Sequence, residues 1–394
     1  MTNVLDGIKV LDFGRYIAGP WCGALLGDFG ADVVRIDKIG GSEDRHVVPM
    51  SDDGSGAMFM QMNRNKRGMT LDPTLPEGRE IQQRLIAGAD VVIANLPEAA
   101  RVKLGLDYDT LNSIKPDIIL TSATAFGTTG PYATKVGFDL VAQAMSGAMY
   151  LSGNEGQPMR SYYPWVDYGT ATLAALGTLA AIMHRKATGE GQQVEGSLLG
   201  TALTNANATL IEQALVQKNR VASGNRGQLS APADAYDTTD GQIIVLALGP
   251  GMHRRWAKLM GETHWLDDPR FADDDSRAEH GEIISARMRE WCAARTTEQA
   301  LAGLEEARLP AAPVLSPQQA LDDPHIQAAG FMQPVDYPGL PGPAPVAGTP
   351  VKLSKTPGSI RRRAPQLGEH TDEILGELGY DTAAIAKFRE IKAI

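Results

Sequence analysis

Asp90-Val91-Val92-Ile93-Ala94-Asn95-Leu96 and Asp117-Ile118-Ile119-Leu120-Thr121 are near-continuous apolar runs bounded by polar residues. A strand with one wet face alternates apolar and polar side chains, whereas a strand covered on both faces reads as an unbroken apolar run. Ile8 to Phe13 and Asp32 to Ile36 read in the same way, with helix-like spacing around Leu25 and Leu26 between them. Glu77 to Ala87 and Phe138 to Met149 suit the intervening helices. Short buried strands alternating with helices predict an α/β layer structure around a parallel sheet.

The pattern changes near Gly189-Glu190-Gly191. A helix-compatible stretch from Ser197 to Gln217 leads to the loop Ser223-Gly224-Asn225-Arg226-Gly227, a strand over Gln242 to Leu248, and helical segments as far as Ala307. The expected organisation is a large domain over 1–200 completed by 361–394, a linker over 201–224, and a smaller α+β domain over 225–328. A second linker, rich in Pro and Gly, is expected over 329–360. Gly368 to Tyr380 reads as a helix with Thr371 as N-cap, followed by Asp372 and Glu373.

Composition narrows the function. A chain of 394 residues with 43% hydrophobic and 21% charged residues has the balance of a folded protein of two domains. A net charge of -10 argues against nucleic acid as a partner, and the basic run Arg361-Arg362-Arg363 reads as a solvated turn. Two distant cysteines, Cys22 and Cys292, suit a reduced compartment, and Met1 leads at once into a strand-like segment instead of a signal peptide. The richest apolar stretch, Ala171 to Met183, is too short to span a bilayer, so a cytoplasmic protein without a membrane segment is expected.

Familiar motifs fail their spacing tests. Gly14-Arg15-Tyr16-Ile17-Ala18-Gly19 follows a strand but is not G-x-G-x-x-G, which disfavours a nicotinamide oxidoreductase. There is no P-loop, no G-x-S-x-G elbow, and no Cys/His spacing of a zinc site, so no metal is expected. One acidic residue stands out: Asp167, in Tyr163-Pro164-Trp165-Val166-Asp167-Tyr168-Gly169-Thr170, just before a long run of small apolar residues. There a carboxylate makes a good N-cap, and it also makes a candidate nucleophile. In open α/β sheets ligands collect beyond the carboxyl ends of the strands, which draws attention to Lys38, Asn95, Lys103 and Lys135 as contacts for a nucleotide with several phosphates.

A series of stretches, in order, then carries a resemblance. They are Gly7-Ile8-Lys9-Val10-Leu11-Asp12-Phe13, Ala18-Gly19-Pro20, Gly30-Ala31-Asp32-Val33-Val34-Arg35-Ile36, Asn63-Arg64-Asn65-Lys66-Arg67, Gly137-Phe138-Asp139-Leu140-Val141-Ala142-Gln143, Thr188-Gly189-Glu190-Gly191-Gln192 and Leu367-Gly368-Glu369-His370-Thr371. Together with Asp167 the series resembles the class III CoA-transferase family (CaiB/BaiF, formyl-CoA/carnitine-CoA transferase type) from end to end. The resemblance implies a doubly wound, Rossmann-like parallel sheet, a smaller α+β domain on two long linkers, and an interlocked homodimer. It implies coenzyme A or acyl-CoA as substrate, with no tightly bound cofactor and a carboxylic acid as the second substrate. Asp167 matches the family's nucleophilic aspartate. Tyr16, Ile17, Lys38, Leu71, Asp72, Asn95, Leu96 and Lys103 match its CoA contacts. Arg15, Arg45 and Arg160 are candidates for clamping a second carboxylate, and His46 for bordering the acyl pocket.

Departures matter as well. The formyl-CoA branch has Gln where this chain has Ile17 and carries a tetraglycine loop whose nearest counterpart here is Gly249-Pro250-Gly251, which disfavours formyl-CoA:oxalate transfer. The racemase branch has His where this chain has Phe138, a side chain with no proton to give. The expected activity is CoA transfer through an aspartyl anhydride and an aspartyl-CoA thioester, with backbone N–H groups stabilising each oxyanion. A 2-methylacyl-CoA racemase and a catalytically silent CoA-thioester-binding protein are the alternatives.

Overall fold

The apolar runs become neighbouring strands of one sheet. In the computed structural model, which describes residues 3–50 and 55–394, β1 (Lys9–Asp12), β2 (Asp32–Asp37), β3 (Lys66–Thr70), β4 (Val91–Ile93), β5 (Ile119–Thr124) and β6 (Gln193–Ser197) lie in the order 3-2-1-4-5-6. Every pairing is parallel. Alternate residues supply the two cores: Leu11, Val34, Ile36, Val92 and Leu120 face one layer, and Val10, Val33, Val91, Ile93 and Ile119 face the other. The helices α1 (Ala18–Asp28) and α5 (Trp165–Thr188) cover the second face. On the first face α2 (Pro76–Ala87) and α3 (Tyr108–Ile114) pack with two C-terminal helices, α7 (Thr371–Glu377) and α8 (Thr382–Glu390). This is the doubly wound arrangement, whose strand order reverses between β1 and β4.

β3 and β6 escape a hydropathy reading because they are edge strands. β3 carries two cations among its five residues yet is buried, which only the ion pairs described below make tolerable. The predicted helix Phe138–Met149 ends early: α4 spans Asp139–Met145, and Gly147 at φ 85 breaks the chain before a short turn at Ala148–Leu151. Thr371 is the first residue of α7 and not its cap, which is His370. Its Oγ1 accepts from Thr70 N on β3 instead.

The domain boundaries also shift. One unit comprises the chain up to Ser146, Ser161–Leu215 and Ala328–Ile394, and the other Gly147–Arg160 and Val216–Gln327. Most of the expected linker 201–224 is the helix α6 (Leu198–Val216), because no Gly or Pro interrupts its Ala-, Leu- and Thr-rich sequence after Gly200. The expected linker 329–360 carries the hairpin Met332–Val335/Ala344–Ala347, which is tied down where Gln61 Nε2 donates to Ala347 O at 3.2 Å. The smaller unit holds a three-stranded antiparallel sheet, Ala233–Asp237, Gln242–Leu246 and Ala311–Pro313, and an aromatic core around Trp256, Phe271 and Trp291.

α5 has 24 residues, longer than its apolar kernel suggests, and by length and composition it is able to cross a membrane. Here one stripe (Val166, Thr170, Ala171, Ala174, Ala175, Thr178, Ala181, Ile182) is buried in the larger unit, the i, i+3/i+4 spacing of a core helix.

Candidate active site

The loop joining β1 to α1 lies at the point where strand order reverses, and buried charge fixes its shape. Asp12 Oδ1 accepts from Gly14 N at 2.8 Å, and Asp12 Oδ2 binds the Lys66 ammonium at 2.6 Å. Lys66 also donates to Pro20 O and Asn63 Oδ1, so all three of its protons are used. Burial pulls Lys66 down to about 8 against the pull of Asp12, while the Lys66 and Arg35 charges hold Asp12 below its ordinary value despite its burial. Arg35 reaches Gly14 O and both oxygens of Asp44, and Asp44 in turn accepts from Tyr16 N at 3.2 Å. Asn95 closes the far side: its Oδ1 accepts from Arg15 N at 2.7 Å and its Nδ2 donates to Arg15 O at 2.8 Å. The glycines here serve close approach. A Cβ on Gly19 would stand 2.8 Å from Asn95 Oδ1, and one on Gly14 2.7 Å from Asp12 Oδ1. Tyr16 is thereby held at φ 60, a left-handed conformation that a side chain adopts only when its surroundings enforce it.

The stretch Asn63-Arg64-Asn65-Lys66-Arg67 turns out to be scaffold. Arg64 forks onto Asp28, Asn65 bonds to Asp28 and to Ser359 O, and Arg67 reaches Asp32, Glu373 and Glu377. Its charges hold β3 to its neighbours and to the returning C-terminal segment.

Asp167 is the third residue of α5, and Pro164 precedes the helix as its cap. The open N–H groups of that helix end are all occupied. Trp165 N donates to Tyr163 O, Tyr168 N to Pro164 O, and Val166 N and Asp167 N to Asp139 Oδ2 at 2.8 and 3.1 Å. Oxyanion-stabilising donors must therefore come from elsewhere than this helix end. Among the described residues no hydrogen bond reaches the Asp167 carboxylate, which is half-buried. Burial, with the Asp139 charge adding to it, raises Asp167 from 3.8 to about 7. Asp139 escaped the sequence reading because an acidic residue opening a helix is an ordinary cap. The visible signal was Gln143 one turn later, which donates to it.

The start of α5 packs against α1, and the residue before α4 meets the β1–α1 loop. Ala18 and Val166 share one buried cluster, and Phe138, immediately before Asp139, meets the Tyr16 ring edge-on at 5.7 Å. Ile17 is buried at the start of α1. Lys38, Leu71, Asp72, Asn95 and Leu96 follow directly on the carboxyl ends of β2, β3 and β4. Lys38 is exposed and pairs with Glu43, Leu71 is buried, and Asp72 folds into a turn with Thr74. Leu96 packs against the core, while Lys103 is exposed on the helix Glu98–Leu104 and Lys135 lies 3.8 Å above the Tyr132 ring.

Arg15 and Arg45 are committed differently from the carboxylate clamp expected of them. Arg15 Nη1 donates to Phe13, Gly14 and Ile36 carbonyls. Arg45 is buried, forks onto Asp37, bonds to Pro365 O, and stacks 4.0 Å over Phe59. Arg160 is exposed in the smaller unit, and His46 is exposed at the end of the turn Glu43–His46. No group of three or more His, Cys, Asp or Glu side chains among the described residues is placed to hold a metal ion.

The chain as a whole has relatives. The profile of CoA-transferase family III matches residues 5–371. Succinyl-CoA:mesaconate CoA-transferase of Haloarcula marismortui is 35% identical over 389 residues, covering 96% of this chain and 98% of that one. Succinate–glutarate CoA-transferase of Agrobacterium fabrum is 34% identical over 392 residues, covering 95% of each. The crystal structure of a CaiB/BaiF family protein from Brucella suis matches with a TM-score of 0.84 at 32% identity, over 96% of this chain and 100% of that one. A match of sequence and fold that runs nearly from end to end leaves no separate module to explain: the chain belongs to CoA-transferase family III and is an enzyme of the CoA-transferase class.

Proposed function

We propose that the protein transfers CoA from a donor acyl-CoA to a small carboxylic or dicarboxylic acid, with Asp167 as the covalent nucleophile. The observation that carries this reading is the Asp167 carboxylate itself, half-buried at a helix start with no hydrogen bond among the described residues and with a pKa raised to about 7. A carboxylate so desolvated is more basic than one in water and is free to attack. Its oxygen adds to the thioester carbonyl, the C–O bond forms, the C–S bond breaks, and CoA departs as thiolate. The thiolate then adds to the aspartyl carbonyl of the anhydride, releasing the donor acid and leaving an aspartyl-CoA thioester. The acceptor carboxylate attacks that thioester, and the CoA thiolate captures the new acyl group and restores Asp167. Thioester energy is conserved at each step.

The dicarboxylic class is supported by the relatives, whose names pair succinyl-CoA with mesaconate and succinate with glutarate. CoA would lie along the carboxyl ends of β2, β3 and β4, with Tyr16, Ile17, Leu71, Asp72, Asn95 and Leu96 as contacts and Lys38, Lys103 and Lys135 available for phosphates. Tyr16 and Phe138 form an aromatic wall for the acyl group. Self-association belongs to this reading: Leu173, Leu176 and Met183 on α5 and Ile211 and Leu215 on α6 are exposed apolar side chains that a second copy would cover. Two buried free cysteines suit the cytoplasm.

The test is intact-protein mass spectrometry after incubation with a panel of acyl-CoAs, quenched with hydroxylamine, on wild type and Asp167→Ala. A hydroxamate mapping to Asp167 is expected. An unmodified Asp167 with every donor, together with deuterium entering C2 of a 2-methylacyl-CoA in heavy water, would replace the transferase by the racemase.

A further inference from the structure

Asp139 is a buried carboxylate, 3% exposed, that no step above uses. Its Oδ2 accepts the N–H groups of Val166 and Asp167 at 2.8 and 3.1 Å. Its Oδ1 accepts from Gln143 Nε2, and Gln143 Oε1 accepts from Ser161 N at 3.0 Å. The side chain is thus held from α4 and aimed at the start of α5 by a second buried residue, since Gln143 is 2% exposed. We infer that Asp139 is a positioning residue that keeps the nucleophilic carboxylate unshielded and makes its acylation relieve a like-charge repulsion. The inference rests on the reading of Asp167 given above.

Two physical effects support it. A first-turn aspartate ordinarily gains by turning back to the open N–H groups of its own helix end. Here Asp139 already holds the two nearest donors, so among the described residues Asp167 has no local partner to bind. The second effect is electrostatic. Two carboxylates at one helix end repel, and burial strengthens the repulsion. When Asp167 attacks, negative charge moves from its oxygen to the departing CoA sulfur. The anhydride and the aspartyl-CoA thioester are neutral at residue 167, so the repulsion is absent in both covalent states and returns only when the free carboxylate is regenerated. An interaction that differs between ground state and transition state changes the rate, and this one raises the ground state. Among the described residues Asp139 from α4 is the charged group that acts on Asp167, and the neighbouring Tyr168 feels the charges of both Arg64 and Asp167. Burial comes first and Asp139 second in raising Asp167.

A cap that served the helix alone would be replaced well by asparagine, which keeps the acceptor oxygen and the volume. Asp139→Asn therefore separates the two roles. The measurement is kcat and KM for an accepted acyl-CoA from pH 5 to 9, with the Asp167 adduct followed by mass spectrometry in the same samples. For Asp139→Asn the acid limb of kcat/KM should move to lower pH, and plateau kcat should fall by about tenfold with KM within about twofold. Gln143→Leu leaves the charge but frees its aim, so kcat should fall while the limb stays; it also serves if Asp139→Asn fails to fold. A wild-type limb and wild-type kcat in Asp139→Asn, or wild-type kcat in Gln143→Leu, overturns the inference. Absence of any Asp167 adduct in the wild type removes the reading beneath it instead, so the two failures are told apart.

Discussion

Replacing Asp167 by asparagine should destroy activity and stabilise the protein, with a pH dependence that follows from one buried group. Its folded-state value of about 7 lies well above the 3.8 of an ordinary aspartate. At about 1.4 kcal/mol per tenfold change, holding this side chain ionised in the fold costs about 4 kcal/mol as an upper bound. The carboxylate is partly open to water, so about 2–3 kcal/mol is the working figure. The sign is that of a raised acid: the folded state binds the proton more tightly than the unfolded one. The cost is therefore absent below pH 3.8, grows between 3.8 and about 7, and is complete above that. Asn pays no ionisation cost at any pH. Urea unfolding followed by tryptophan fluorescence should show Asp167→Asn more stable than wild type at pH 8.5 by about 2–3 kcal/mol, with the gain shrinking toward zero near pH 4. An equal or lower stability at pH 8.5 would refute the claim that Asp167 is held ionised against its surroundings.

Three further outcomes are expected. Lys66→Met leaves the fully buried Asp12 without its ion-pair partner, and should cost about 3–5 kcal/mol in the same unfolding assay. Loss of less than about 1 kcal/mol would mean that the pair does not hold the loop. Asn95→Leu removes both bonds to the Arg15 backbone and should raise KM for acyl-CoA by about tenfold, more than it lowers kcat, because the loop carrying Tyr16 and Ile17 loses its clamp. An unchanged KM would count against that clamp. In the smaller unit, His253 is buried beside Trp256 with neither ring nitrogen hydrogen-bonded among the described residues, and burial, then Arg277, lower it to about 4. A lowered histidine is neutral in the fold, so stability is lost as pH falls from 6.5 toward 4. His253→Leu should flatten the melting temperature over that window, and an unchanged acid dependence would refute this.

Some of the protein is written locally. Val91–Ile93 and Ile119–Leu120 are apolar without alternation because both faces of a central parallel strand are covered, and that condition belongs to each strand separately. Asp167 was legible because its surroundings in the chain resemble a family. Its raised pKa was not, since a carboxylate before an apolar helix is more often a cap, and only the contact of Asp139 with Val166 N and Asp167 N shows who does the capping. Lys66 and Arg67 carry no hydropathy signal for a strand, yet they form a buried edge strand once Asp12, Asp32, Glu373 and Glu377 arrive from distant parts of the chain. Arg45, a candidate substrate ligand by sequence, is committed to Asp37 in the fold. Hydrophobic periodicity is a one-residue property repeated along the chain, so it can be read without coordinates. The ionisation and freedom of a side chain depend on which partners come within about 3 Å, and those partners here lie 28 and 54 residues away, so only the folded chain decides them.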